Sequence, residues 1–94
     1  DTKPNFWLSC VLIDKDCAVK PMDIINKLND ANVEARPIWK PMHMQPVFNK
    51  NDFICVGETS VGEEIFKRGL CLPSDIKMTE QEQDIIINII KSMF

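Results

Sequence analysis

Ala35-Arg36-Pro37-Ile38-Trp39-Lys40-Pro41-Met42-His43-Met44-Gln45-Pro46-Val47-Phe48 carries three of the chain's six prolines, its only histidine, one of its two tryptophans and two of its five methionines. Each proline fixes its own φ and pushes the residue before it out of the helical region. Arg36, Lys40 and Gln45 are therefore expected in extended or polyproline-like backbone. If the segment stays extended, alternation sets Trp39, His43 and Gln45 along one side and Met42 and Met44 along the other. The result is a stiff arm with an aromatic ring, an imidazole and an amide on one edge and the cations Arg36 and Lys40 also along it. It suits a polar, anionic or ring-shaped ligand, and it serves equally well as a strand followed by a packed loop.

The flanking sequence supplies the elements that would carry the arm. Upstream, Pro21 to Ala31 reads as a helix. Pro21 suits its first position, Asp23 suits the positive end of the dipole, and Asn32 suits a left-handed C-terminal cap. Ile24, Ile25, Leu28 and Ala31 form one apolar stripe at helical spacing, and Val33 to Ile38 returns as a strand. Further upstream, Phe6 to Ile13 is apolar on both parities and predicts a strand buried on both faces. So central a first strand implies that more chain lies before Asp1.

Downstream, Asn49-Lys50-Asn51-Asp52 reads as a turn. Phe53 to Val56 fits either a strand or a loop tucked into the core. A short helix spans Val61 to Arg68, with Thr59 or Ser60 as N-cap and Gly69 as its C-terminal stop. Leu70-Cys71-Leu72 is a brief strand ended by Pro73. Thr79 and Glu82 match a capping box, and the helix behind them runs to about Met93 with Ile85, Ile86, Ile89, Ile90 and Met93 on one face. The order β-α-β-loop-α-β-α predicts an α+β layer, a small sheet with helices on one face.

Composition sets limits on function. Ninety-four residues support one domain, residues 1–94, with one core. Apolar residues make up 45% and charged residues 27%, an ordinary globular balance. A net charge of −3 offers no concentrated basic face for nucleic acid. No apolar run reaches the length of a membrane span, and Asp1-Thr2-Lys3-Pro4 lacks the apolar core of a signal peptide. Cys10, Cys17, Cys55 and Cys71 form no Cys-x-x-Cys unit. Cys10, Cys55 and Cys71 sit in apolar contexts and read as small buried thiols of a reducing cytoplasm rather than as a disulfide framework, and no zinc site is expected.

No phosphate loop, nucleophile elbow or other catalytic signature is present. His43 is the one side chain that titrates near neutrality without help; it either meets a ligand or hydrogen-bonds a neighbouring backbone. Arg36 and Lys40 either grip a phosphate or carboxylate or end a strand as solvated charges. Trp39 stacks on a ring or packs in a core. Glu58, Glu63 and Glu64 read as a solvated helix face.

Three segments together resemble a family. They are Pro4-Asn5-Phe6-Trp7-Leu8, the arm from Arg36 to Phe48, and Phe66-Lys67-Arg68-Gly69-Leu70-Cys71-Leu72-Pro73-Ser74 followed by Met78-Thr79-Glu80. In this order they are similar to the C-terminal small domain of the DegT/StrS aminotransferases, pyridoxal phosphate (PLP) enzymes of the aspartate aminotransferase fold that aminate keto sugars carried on nucleotides. The resemblance spans essentially the whole chain but only the terminal part of the family's polypeptide. It implies a mainly antiparallel sheet. It also implies that the Schiff-base lysine, the acid facing the pyridinium nitrogen and the phosphate cup lie in a large domain absent from this chain. The chain alone is then expected to hold no PLP and to be inactive. By position, the resemblance makes His43 the first substrate-side candidate, puts Lys40 and Arg36 at the substrate's diphosphate, and has Gln45 and Trp39 shape the wall. The implied partners are a nucleotide sugar and an amino-acid donor, in a cytoplasmic homodimer of the full enzyme that serves polysaccharide or glycan synthesis. The competing reading is an independent α+β ligand-binding or protein-interaction module.

Overall fold

Local signals start and stop the helices of the computed structural model, which describes residues 1–94. Helix α1 (Pro21–Asp30) opens on Pro21, whose missing N–H costs nothing there, and the Asp23 carboxylate accepts the Lys20 amide at 2.8 Å. Asn32 follows at φ 58°, the left-handed residue expected after the last turn. Helix α2 (Val61–Arg68) is capped by Ser60, not Thr59: the Ser60 hydroxyl accepts the Glu63 amide at 3.4 Å. Helix α3 (Glu80–Lys91) has both halves of its capping box, since the Glu82 amide donates to Thr79 Oγ1 at 3.3 Å and the Thr79 amide to Glu82 Oε2 at 2.7 Å.

Three short strands, β1 (Ser9–Leu12), β2 (Arg36–Pro37) and β3 (Gly69–Leu72), form one antiparallel sheet in the order β1-β3-β2. Leu70 faces Val11 on one side and Pro37 on the other. The Ile38 amide reaches the Gly69 carbonyl at 3.5 Å. By alternation Pro37 therefore occupies a rung that needs no N–H from it, which is where an edge strand tolerates proline. Helix α1 packs on β2 and β3, and α3 packs on α1. Ile24, Ile25 and Leu28 of α1 meet Ala35, Leu70 and Ile86 in the core. Ala31, expected on the same stripe, is exposed.

Several expectations fail, each for a tertiary reason. Phe6 to Ile13 is not a central strand: only Ser9–Leu12 pairs, at the sheet edge, and all four residues are exposed. Phe6 sits at φ 54° and the Trp7 amide turns back to Asn5 Oδ1 at 3.2 Å, so the strand cannot begin earlier. The central strand is β3 instead. Gly69 is not a left-handed stop but extended, at φ −100° and ψ 151°. It is glycine because a Cβ would lie 2.6 Å from the Ile65 carbonyl oxygen and collide with Ile38. The arm is extended only in part. Pro41 and Gln45 hold extended dihedrals, but Met42–Met44 and Pro46–Phe48 are 3-10 turns, so the predicted alternation ends at Pro41. Phe53 to Val56 forms no strand and is not tucked in, with Ile54 and Val56 fully exposed. Cys71 alone is a buried thiol; Cys10 and Cys55 are exposed.

Two outcomes follow. Leu28 is wholly buried while Ile54 is 93% exposed. Leu28→Ala should lower the unfolding free energy by about 2–5 kcal/mol and Ile54→Ala by less than about 0.5 kcal/mol, both read from urea titrations. The Thr79 amide and hydroxyl hold the Glu82 carboxyl below the usual glutamate range near 4.5. A carboxylate lowered in the folded state stabilises above its unfolded pKa and loses that contribution as pH falls through the folded one. Wild type should therefore lose more stability than Glu82→Gln on acidification from pH 5, measured by thermal melts across that range.

Candidate functional site

The sheet and the N-terminus of α2 place the arm's side chains in two separate groups. Arg36 and Trp39 line a cleft of about 470 Å³ against the sheet, with Trp7, Leu8, Cys71 and Ser74 also on its wall. The two indoles touch, their ring centroids 5.5 Å apart and tilted by 41°. Arg36 is held by Glu34 two residues before it. Both side chains are largely exposed, so this pair is weak and the guanidinium stays free to exchange partners.

His43, Lys40 and Gln45 do not line that cleft. His43 Nε2 lies 2.9 Å from Glu63 Oε1 on α2, and its ring stacks on Phe53 at 3.6 Å and 15°. Its side chain is only 17% exposed. A carboxylate accepts only, so Nε2 carries the hydrogen, and in the neutral ring Nδ1 keeps the lone pair. The bond is thus to a side chain twenty residues on, not to a neighbouring backbone. Gln45 turns inward on its own loop, donating from Nε2 to the Lys40 carbonyl at 3.3 Å and to Met42 Sδ at 3.5 Å. Gln45 therefore braces the loop. The Lys40 ammonium makes no ion pair or hydrogen bond within the chain.

Glu63, read from the sequence as part of a solvated helix face, and Phe53 and Trp7, read as strand or core, are the residues here that sequence reasoning did not single out as a site. Glu63 carried one readable sign. Ser60-Val61-Gly62-Glu63 has the spacing of a capping box, in which the glutamate should return to the Ser60 amide. Only half the box forms: Ser60 caps the Glu63 amide, while the Glu63 carboxylate turns to His43. Pro41 lies beside the same junction, its ring 3.6 Å from where a Cβ on Gly62 would stand. Glu64, by contrast, pairs only with Lys67 along the exposed helix. No three His, Cys, Asp or Glu side chains gather as metal ligands would.

The fold is an antiparallel α+β lobe whose proline-stiffened arm is braced against one helix. The chain matches the DegT/DnrJ/EryC1/StrS aminotransferase family over residues 1–91, and it belongs to that family. It is 44% identical over 91 residues to a Bacillus subtilis protein named as the pyridoxal phosphate-dependent aminotransferase EpsN, covering 96% of this chain. It is 26% identical over 82 residues to the GDP-perosamine synthase of Caulobacter vibrioides, covering 87% of this chain. The chain spans 23% and 21% of the lengths of these two relatives.

The family name implies PLP, whose binding needs a lysine amine and a separate cradle for the phosphate. The three main clefts do not fit it. One holds Arg36 but no lysine, one holds Lys77 as its only cation, and the third holds no cation.

The His43 clamp has a direct test. With a single histidine, ring nitrogen NMR reads one residue. Above the imidazole range, wild type should show the hydrogen on Nε2, whereas Glu63→Ala should show mixed tautomers and lose about 1 kcal/mol of stability. An unchanged tautomer would mean that the pair does not orient the ring.

Proposed function

We propose that this chain is the terminal small domain, residues 1–94, of a cytoplasmic PLP-dependent aminotransferase that delivers an amino group to a keto sugar on a nucleotide. Its products would serve polysaccharide or glycan synthesis, and the full enzyme would be a homodimer taking its nitrogen from an amino acid. The family match over residues 1–91 supports the aminotransferase class. The likeness to a GDP-perosamine synthase supports a nucleotide-sugar substrate. PLP would be held by residues outside this chain, and PLP supplies the electron sink of the amino transfer when bound.

The observation that carries the reading is His43, clamped by Glu63 and Phe53 with Nδ1 free, three residues from a lysine without a partner. In this reading Lys40 meets the diphosphate as a mobile point charge and Arg36 as a planar fork. His43 orders the same substrate through Nδ1. Trp39 forms wall, and Gln45 keeps the turn closed so that Lys40 and His43 stay in register. The separation of Arg36 and Trp39 from His43 requires an extended ligand that bridges the two groups, which a sugar nucleotide is.

The test is kinetic, in the full-length enzyme carrying this chain. Lys40→Ala and His43→Ala should each raise the KM for the nucleotide sugar about tenfold or more, because a lost charge-assisted contact is worth about 1.5–3 kcal/mol. The half-reaction with the amino donor should be untouched. Equal loss in both half-reactions would remove these residues from the substrate. For the chain alone, added PLP should keep its free spectrum; a shifted spectrum would contradict the expectation that the cofactor is held elsewhere.

A further inference from the structure

Cys10 and Cys71 stand directly opposite each other across the β1–β3 ladder, and their sulfurs are 3.6 Å apart. The type of rung matters. The Ile13 amide donates to the Arg68 carbonyl at 2.9 Å, which marks that pair as hydrogen-bonded. Counting back along the register, Leu12/Gly69 is non-hydrogen-bonded, Val11/Leu70 hydrogen-bonded and Cys10/Cys71 non-hydrogen-bonded. The other edge agrees: the Ile38 to Gly69 bond turns the Cys71 amide and carbonyl towards Arg36 on β2 and away from β1. Non-hydrogen-bonded partners bring their Cα atoms to about 4.5 Å with side chains on the same face. That separation lies inside the roughly 4.4–6.8 Å that a disulfide spans. The two thiols also differ in access, since Cys10 is exposed and Cys71 is buried.

We propose that Cys10 and Cys71 form a dithiol site that reacts with low-molecular-weight disulfides and closes to a cross-strand disulfide, locking β1 onto β3. The Cys10 thiol loses its proton and its sulfur attacks one sulfur of the incoming disulfide. The bond between the two reagent sulfurs breaks, and one reagent thiol leaves with that proton. Cys71 then loses its proton and attacks Cys10 Sγ, expelling the second reagent thiol. Two protein thiols are oxidised to one disulfide, and one small disulfide is reduced to two thiols, so protons and electrons balance. The order is set by structure: Cys10 is within reach of solvent, whereas burial and the neighbouring Cys10 push the Cys71 thiol up and keep it from reacting first. Cys55 is also exposed but has no thiol within contact, so it can only be capped. Cys71 lines the cleft that holds Arg36 and Trp39, so the bond would fix one wall of that cleft.

The chain is incubated with excess oxidised glutathione, digested under acid and mapped by mass spectrometry. A linked pair of peptides bearing Cys10 and Cys71, with glutathione retained on Cys55, is the expected result. In Cys71→Ser, Cys10 should keep its glutathione for want of a resolving thiol; in Cys10→Ser, Cys71 should stay free. The bridged chain should unfold at a temperature higher by on the order of 10 °C than the reduced one, as closing a long loop predicts. Glutathione remaining on Cys10 of the native chain, both thiols staying unmodified, or a bridge that lowers the unfolding temperature would each overturn the assignment. The last would show that the ladder has to break to admit the bond.

Discussion

The strand Gly69–Leu72 is the one element that every other part of the sheet requires. It alone pairs on both edges, and Leu70 on it is fully buried against α1. Gly69 lets α2 run straight into the strand without a loop, because its bare Cα accepts the Ile65 carbonyl and Ile38 at distances that a side chain would not allow. Four residues therefore fix the direction of α2, the pairing of both edge strands and the seat of α1. Few other residues are shielded: nine of 94 are buried, so the core cannot compensate if this strand is lost.

What was legible in the sequence was mainly what is decided locally. Pro21, Asn32, Thr79 and Glu82 act within a turn of themselves, and each does what its chemistry announces. Gln45 is extended because Pro46 follows it, whatever surrounds them. The errors concern which faces are covered. Phe6 to Ile13 is apolar on both parities, a pattern that reports capacity for burial and not the presence of a partner. The chain offers β1 only one neighbour. Gly69 follows a helix, which suggested a left-handed stop. Its actual cause is a close approach of Ile38 and Ile65, and no local pattern encodes that.

The site was harder to read because it is made of long-range pairs. The arm's composition identified its polar residues, but the 3-10 turns redistribute them. Arg36 and Trp39 go to the sheet cleft, and His43 goes to α2. Extended alternation assumed backbone freedom that Gln45 removes by binding the Lys40 carbonyl. Phe53 looked like core or strand and instead serves one imidazole.

Glu63 shows why the His43 junction is more than a surface contact. In α3 the equivalent glutamate closes its cap, whereas in α2 the same spacing leaves the Ser60 amide without that bond. The missing half of the cap and the part-buried hydrogen bond that replaces it are each worth about 1 kcal/mol. Stability alone therefore gives Glu63 little reason to abandon the cap. What the diverted carboxylate does achieve is orientation: with Nε2 occupied and one ring face against Phe53, the imidazole has a single nitrogen left and a single direction in which to offer it. A loop with no fully buried residue can hold a side chain that firmly only by such directional contacts, and His43 has two of them to residues outside the arm.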